Sequence, residues 1–278
     1  MSEPEFYEVV HSGVMFDKHG KLVQNDDGSY HTYYGIDGVH TWKDWHLYCT
    51  DPSISSPEVE KYLVSVPGRN GMIDMSEALT GAPVFHNRKI QLTFLRFGSM
   101  ESWHSDYTEI LEALHGQEYK LIFDTDPGYY YEGRCSVSSV REDGVHSSFS
   151  IEMDAYPYKK AISDTASDWL WDPFCFENGV IREYKDMKVE AGEEKEFLII
   201  GCAMPVYPKI LVFSDAPESM RELVINDVST DISGVTSGYV SFPWPLSYPL
   251  SDGENKIRIE NTSSHSVLVS IVFAEGRL

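Results

Sequence analysis

The sequence predicts a mainly β protein of two domains, and three observations lead to this prediction. Strand-like runs outnumber helical ones along the 278 residues, and short turn signals separate them. The chain is 42% hydrophobic and 13% aromatic, which is enough to build a buried core. A chain of this length suits two domains or one large all-β domain. We therefore expect β-sandwiches, the first of which has one helix packed on a sheet.

The first half contains a predicted strand, a helix and two hairpins, in that order. Alternating apolar residues predict a strand at 89–97. Strands at 119–124 and 129–140 flank a Thr-Asp-Pro-Gly turn, and strands at 137–141 and 146–156 flank an Asp-Gly pair. The helix is predicted by apolar residues at three- and four-residue spacing, ending near Gly116: Trp103, Tyr107, Ile110, Leu111 and Leu114. Because it lies between two strands, we expect it to pack across a sheet face.

The composition changes at residues 156–180, and we place the domain boundary near residue 162. Small polar and acidic residues come first, and four aromatic residues that we expect to pack at the start of the second domain follow: Trp169, Trp171, Phe174 and Phe176. From Lys195 onward short strands recur between turn signals, at 197–200, 210–213, 223–225, 239–242, 256–260 and 267–273. Such spacing predicts a β-sandwich over residues 163–278.

The charge balance is strongly acidic, with 44 acids against 22 bases and a net charge of −22. A surface that neutralises phosphates needs clustered Lys and Arg, so specific nucleic-acid binding and docking on an anionic membrane are both disfavoured. Two interpretations stay open: the acids serve solubility, or they line a conduit along which DNA slides without sticking. The acidic N-terminus predicts no signal peptide, and no apolar run approaches the roughly 18 residues of a membrane span.

No cofactor or metal is predicted. The four cysteines are far apart and form no Cys-x-x-Cys pair, which is typical of free, buried thiols in a reducing cytoplasm: Cys49, Cys135, Cys175 and Cys202. His40 and His46 lie near Cys49, yet a structural zinc site needs about four ligands and the rest are missing.

We predict no enzymatic activity, because nucleophile-elbow, phosphate-loop and dinucleotide motifs are absent from the sequence. Asp124 and Asp126 come closest to a catalytic carboxylate pair, but Pro-Gly follows them and favours a solvated turn. A glycoside or cell-wall hydrolase that uses this pair stays as an alternative, which loss of turnover in Asp→Asn variants would reveal. The Asn261-Thr262-Ser263 sequon carries no meaning without secretion.

A carbohydrate-binding module is the second alternative. Two aromatic groups could form a flat platform for a pyranose ring: Trp169 with Trp171, and Tyr239 with Phe242, Trp244 and Tyr248. Aromatic residues are also large core fillers, so packing in a core or an interface is the competing interpretation. Quenching of tryptophan fluorescence by sugar separates the two.

Residues 64–81 predict a rigid, protruding loop that docks on a neighbouring subunit. Pro67 and Gly68 signal a turn, Asn70-Gly71 signals another, and Ser76 is expected to cap a short helical turn at 77–79. On this turn Arg69 could bind a carboxylate of the next copy bidentately. The alternative is a solvated arginine that contributes little.

The sequence of this segment resembles that of the distal tail proteins of long-tailed, non-contractile bacteriophages and their prophage relatives. The resemblance lies in Val-Pro-Gly-Arg-Asn-Gly and the following Ile-Asp-Met-Ser-Glu-Ala-Leu-Thr-Gly. Further segments similar to that family are residues 41–45, 54–58, 87–94, 155–159, 253–257 and 276–278. The resemblance is close over most of 40–160 and looser over 195–278.

The resemblance implies a structural protein of the virion tail, assembled in the host bacterial cytoplasm. Residues 1–160 would form a ring-forming domain related in fold to tail-tube proteins, and 163–278 a galectin-like or jelly-roll sandwich. Six copies would close a ring that joins the tail tube protein to a baseplate, tail-tip or receptor-binding protein and leaves a channel for DNA, without contact to a membrane. The interface would include Val66, Pro67, Gly68, Arg69, Asn70, Gly71 and Asp74.

Overall fold

A computed structural model describes residues 14–17, 21–24, 30–33, 39–96, 103–142, 147–165, 184–214, 222–231, 240–247 and 249–278. The chain is mainly β, which confirms the predicted fold class. Contacts divide it into two compact units, one that ends at Lys159 and one that spans Lys160–Arg277. Neither described helix has the length and apolar character needed to cross a bilayer.

The first unit is built on one large antiparallel sheet. Its elements are β1 (Val14–Asp17), β2 (Lys21–Gln24), β3 (Tyr30–Tyr33), β4 (Val39–His40), α1 (Thr41–Trp45), β5 (Leu47–Ile54), β6 (Leu63–Ser65), β7 (Met72–Asp74), β8 (Arg88–Arg96), α2 (Trp103–Leu114), β9 (Glu118–Phe123), β10 (Tyr129–Glu142) and β11 (Ser147–Ala155). Seven strands follow the order β4-β1-β9-β10-β11-β8-β5, while β2 pairs with β3 and β6 with β7.

Alternation along β8 and β11 explains the core of this unit. Ile90, Leu92 and Phe94 of β8 are fully buried, and Ile151 and Phe149 lie directly opposite the last two on β11. The Phe94 and Phe149 rings stack with their centroids 5.4 Å apart. The predicted strands at 89–97 and 119–140 are confirmed where the structure describes them, and so is the hairpin between β9 and β10. The Asp-Gly turn at 143–144 lies outside the described residues.

Helix α2 confirms the predicted helix that packs on the sheet. Trp103, Ile110 and Leu114 are buried in the same core as the β8 and β11 side chains. Gly116 ends the helix with a φ of +77°, a conformation that glycine adopts without a Cβ penalty. An Arg96–Asp106 ion pair ties β8 to the helix.

Helix α1 was not predicted, and an unusual cap explains why. His40 occupies its N-cap, where Nδ1 accepts hydrogen bonds from the backbone N–H groups of Trp42 and Lys43 at 3.1 and 3.3 Å. The Nε2–H of His40 then donates to the Asp124 carboxylate at 3.2 Å. His40 therefore joins the start of α1 to the turn that follows β9.

The second unit is a β-sandwich. It follows β12 (Lys159–Asp164), which begins at the last residue of the first unit, and its further strands are β13 (Met187–Val189), β14 (Glu194–Ile200), β15 (Lys209–Phe213), β16 (Glu222–Ile225), β17 (Val228–Asp231), β18 (Val240–Pro243), β19 (Glu254–Asn261), β20 (Val267–Val272) and β21 (Ala274–Arg277). Two antiparallel four-stranded sheets run β13-β20-β15-β18 and β14-β19-β16-β17, while β12 pairs with β21. All six strands that the sequence predicted are present, and β12, β13, β17 and β21 are additional.

One hydrophobic core fills the space between the two sheets. The first sheet contributes fully buried side chains such as Val212 and Val269, and the second contributes Ile225 and Ile259. Buried and exposed positions alternate along β19, as expected for a strand with one buried face, whereas the neighbours of Val212, Val269 and Ile225 are half-buried or buried. The predicted sandwich over the C-terminal half is confirmed.

Asn261 lies in the interior of the sandwich and organises three chain segments. Its Nδ2 donates to the carbonyl oxygens of Val189, Glu190 and His265 at 3.2, 3.0 and 2.8 Å. Its Oδ1 accepts hydrogen bonds from the Ser263 N–H at 3.0 Å and the Ser263 hydroxyl at 2.6 Å. With an exposure of 0%, this asparagine is a structural residue, and its sequon faces the core.

Candidate assembly surface on an exposed arm

The segment between β5 and β8, residues 55–87, projects from the first unit as an arm. The structure describes all of these residues, and none of them belongs to either hydrophobic core. Most are exposed, and no side chain in the segment is fully buried. Apart from an edge-to-face contact between the Phe85 and Tyr158 rings near its base, the arm therefore takes little part in the packing that stabilises the two units.

Two separate stretches of backbone pairing, between which residues 76–83 are not paired in strands, give the arm its shape. Near its base, the N–H of Glu60 donates to the Val84 carbonyl and the N–H of His86 to the Glu58 carbonyl, each at 2.8 Å. Farther out, β6 and β7 pair with Val64 opposite Ile73. The arm is a two-stranded hairpin that extends well beyond the predicted loop at 64–81.

One face of the hairpin is apolar. Strand alternation and the β6–β7 register place Val64 and Ile73 on it, and a Met75 N–H bond to the Tyr62 carbonyl extends the pairing by one step. The side chain of Tyr62 is 65% exposed and that of Met75 43%. Val66 continues the same face toward the tip. We name these five residues the apolar arm face: Tyr62, Val64, Val66, Ile73 and Met75.

An isolated two-stranded hairpin is only marginally stable in water. Leu63 and Met72 lie on the opposite face of the hairpin and are 48% and 61% exposed, and Leu79, outside the paired strands, is 100% exposed. Exposed apolar patches are typical of protein–protein contact sites, so the apolar arm face is a candidate docking surface.

The tip of the arm confirms the predicted turn geometry. Gly68 and Gly71 have φ values of +82° and +80°, and the Arg69 N–H donates to the Val66 carbonyl at 3.2 Å. Proline followed by a positive-φ glycine inside such a bond is a type II turn. The seven residues predicted for the interface, 66–71 and Asp74, are all exposed. Arg69 forms no ion pair with any residue that the structure describes.

The expected helix cap at Ser76 is wrong. Its hydroxyl oxygen accepts a hydrogen bond from the Tyr62 N–H at 2.8 Å, and the hydroxyl donates to Asp74 at 2.6 Å. Residues 77–79 form a turn and no helix. The two hydrogen bonds that Ser76 donates lower the pKa of the Asp74 carboxyl below its ordinary value. Ser76 therefore links the two sides of the arm hairpin.

Asp124 and Asp126 are not arranged as a catalytic pair. Strand β9 ends at Phe123, so both residues lie in the turn and do not share a strand face. Asp124 accepts from His40, and Asp126 forms an ion pair with Lys159 at 2.6 Å. Each carboxylate serves a separate contact within the first unit.

The residues weighed for zinc are also engaged in the fold. His46 ends α1 in the left-handed region with a φ of 54°. Burial raises the pKa of Cys49 to about 11 and that of Cys135 to about 12, so both thiols stay protonated at neutral pH. Within the described ranges no group of three or more His, Cys, Asp or Glu side chains could hold a metal ion. Cys175 lies outside them.

Of the residues proposed to contact saccharide, the structure describes Trp244. This tryptophan is 8% exposed and belongs to the core of the second unit, so its ring does not offer a free face to a sugar. Trp169, Trp171 and Tyr239 lie outside the described residues.

A pocket of about 480 Å³ in the first unit is lined by both polar and apolar groups, and its polar side chains include His115, Glu118, Arg134 and Asp154. Arg134 donates to the Gly116 carbonyl at 2.6 Å, which satisfies the end of α2. His115 accepts from the Val137 N–H at 3.2 Å through Nδ1. These contacts serve the junction between α2 and β10.

The two units and the arm define a class of mainly β chain with a hairpin extension from its first sheet. Among solved structures, the chain is similar to the crystal structure of the SPP1 Dit (gp 19.1) protein, a paradigm of the hub adsorption apparatus in phages that infect Gram-positive bacteria. The sequences are 14% identical, the TM-score is 0.56, and the match covers 96% of this chain and 99% of that one. At this identity the likeness establishes the fold. No family model matches the sequence, and no curated protein does either.

Proposed function

We propose that this chain is a structural protein of a phage or prophage tail, which assembles through its arm into a closed hexameric ring. The observation that carries the proposal is the arm itself. A hairpin with an exposed apolar face and no share in either core needs a partner surface, and a second copy of the chain offers one.

The fold supports the tail role. The likeness to SPP1 Dit extends over nearly the whole of both chains, including both units, so it does not rest on one common sandwich. The amino-acid sequence of the loop at 64–81, which resembles that of phage distal tail proteins, supports the same role. The ring would connect the tail tube to the baseplate or tip within the virion, without a catalytic role.

The geometry of an arm favours a ring over a two-fold dimer. When an arm of one copy contacts a different surface on the next, the interface is heterologous, and it closes into a ring if the rotation between copies closes. Residues 1–160 would form that ring.

The charge on the solvent side of the large sheet bears on the channel. Among the side chains that the structure describes, alternation and register place five acids and three bases on this face: Asp51, Glu118, Glu132, Glu152 and Asp154, with Lys89, Lys120 and Arg134. The acids exceed the bases by two, so a strongly acidic channel would have to draw further acids from other segments. The surface potential of the assembled ring tests the conduit hypothesis, and a neutral or basic channel would contradict it.

The decisive experiment is the mass of the purified protein by light scattering, together with negative-stain images. We expect rings of about six copies with an open centre, because a heterologous contact closes only at a fixed copy number. A single chain at every concentration, with and without a tail tube protein, would overturn the proposal.

Arg69→Glu should weaken ring assembly while leaving the folded chain intact. The arginine is exposed and pairs with no described residue, so the fold does not depend on it. Loss of a bidentate pair and gain of repulsion should cost roughly 1 kcal/mol per interface, about a fivefold weaker association. Sedimentation velocity over a dilution series measures this shift.

Lys209→Glu is the matched control, because it makes the same charge change at an exposed site of the second unit. An equal loss of assembly in both variants would assign the effect to net charge. Rings of unaltered mass and affinity in Arg69→Glu would remove this residue from the interface.

A further inference from the structure

The Asn70-Gly71 pair at the tip of the arm has the residue types and the exposure of a self-modifying site. We propose that Asn70 deamidates spontaneously through a cyclic imide with Gly71, so that the unassembled chain acquires a carboxylate at the tip. The site needs no enzyme, because the attacking nitrogen and the reacting amide belong to neighbouring residues.

The surroundings of the pair leave the reaction unhindered. Asn70 is exposed, and an ideal Cβ built on Gly71 would meet nothing within 4 Å. Within the described part of the chain, no hydrogen bond holds the Asn70 amide or the Gly71 N–H. Glycine also lets the backbone rotate into the ring-closing conformation, since it lacks the side chain that restricts φ and ψ.

The chemistry balances with water as the only co-reactant. The Gly71 nitrogen gives its proton to solvent base and attacks Cγ of Asn70, forming an N–Cγ bond. The bond from Cγ to Nδ2 breaks, and ammonia leaves with a proton. Water then opens the imide at one carbonyl carbon or the other, which yields aspartate or isoaspartate. No electron transfer is involved.

Two other asparagines of the fold show what prevents this reaction. Asn255 donates through Nδ2 to the carbonyls of Ser251 and Gly253 at 2.9 and 3.0 Å, and Asn261 is fully buried with five hydrogen bonds. Their amides are fixed by hydrogen bonds to other parts of the chain. A second Asn-Gly pair, at 178–179, lies outside the described residues.

The product changes the surface proposed for assembly. A carboxylate at position 70 lies next to Arg69 and offsets its charge, and isoaspartate also lengthens the backbone of the turn by one carbon. If the tip docks on a second copy, as the proposed function states, docking would hold Asn70 still and shield it. Deamidation would then be slow in the ring and fast in the free chain.

The test follows each asparagine by peptide mass spectrometry while the purified full chain is kept in mildly alkaline buffer. We expect Asn70 to lose its amide at least about tenfold faster than Asn255, which corresponds to about 1.4 kcal/mol of activation free energy. The rate should rise with pH, because the attacking nitrogen must lose its proton. Separate peptides report Asn70 and Asn178. Equal rates at Asn70 and Asn255 would overturn the proposal.

Two variants sharpen the test. Gly71→Ala places a Cβ beside the attacking nitrogen and should slow the loss on the order of tenfold, and an unchanged rate would contradict the mechanism. Asn70→Asp reproduces one product, and its assembly should be weaker than that of the unmodified chain. If the wild type forms no ring, the proposed function fails while the site stands. If rings form and Asn70 reacts as fast in them as in the free chain, the docking of the tip on a second copy is overturned, while the ring and the deamidation site both stand.

Discussion

Two glutamates on the apolar arm face, introduced by Tyr62→Glu with Ile73→Glu, should abolish ring assembly at concentrations where the wild type is assembled. Full burial of one large apolar side chain is worth about 1.5–3 kcal/mol. Loss of two such contacts therefore removes about 3 kcal/mol or more per interface, a change on the order of a hundredfold in association. Light scattering of the purified variant gives the mass directly.

The matched control places two glutamates on the opposite face of the same hairpin, by Leu63→Glu with Ser65→Glu. It adds the same charge at the same distance from the two units, and the register places both residues away from the apolar arm face. The control should retain the ring. Equal loss in both variants, or rings of normal mass in the first, would show that this face is not the interface.

The second large effect concerns stability. Asn261→Ala should lower the free energy of unfolding of the second unit by about 3 kcal/mol or more, since it leaves several buried polar groups without partners. Those groups are three carbonyls and the N–H of Ser263. Hydrogen exchange of peptides from β19 and β20 under increasing urea measures this unit, which can unfold separately from the first.

Asn87→Ala is the control for that variant. Asn87 is exposed, and its side chain forms no hydrogen bond with the described residues. Its substitution should change the urea midpoint very little. A comparable loss in both variants, or no loss in Asn261→Ala, would contradict the structural role of the buried asparagine.

Much of the fold could be predicted because its strands carry a local signal. Ile90, Leu92 and Phe94 alternate with polar residues, and the structure buries all three. Helix α2 was predictable for the same reason, since Trp103, Ile110 and Leu114 recur at helical spacing and are buried in the core. In both cases the side chains that are buried recur at the spacing of the element, so the sequence shows that spacing directly.

Elements that depend on distant partners escaped prediction. Helix α1 has five residues, too few to show a period, and its cap is a histidine whose other ring nitrogen bonds a residue far along the chain. The N-cap prediction for Ser76 was wrong for a similar reason. The local sequence around Ser76 resembles an N-cap, but its hydroxyl oxygen accepts a hydrogen bond from the Tyr62 N–H across the hairpin. A rule based on neighbouring residues does not include this distant donor.

The candidate site was predicted in part. The turn at Pro67 and Gly68 and the exposed Arg69 follow from local chemistry, and the structure places them at the end of the arm. The apolar arm face was not predicted. In the sequence, Tyr62, Val64 and Val66 look like part of an ordinary strand, and only the β6–β7 register shows that Ile73 lies beside Val64. Their docking role stays a prediction.

The arm also has a consequence for the chain before it meets its partners. Its two strands have open outer edges and an uncovered apolar face, which together are a template for unwanted strand pairing and aggregation. The net charge of −22 opposes this, because like-charged molecules repel before their hairpins touch. That repulsion is long-ranged and weakened by salt, whereas docking is short-ranged and geometric. In the proposed assembly, the acidity of the chain would therefore reduce non-specific contact between copies before the arm docks.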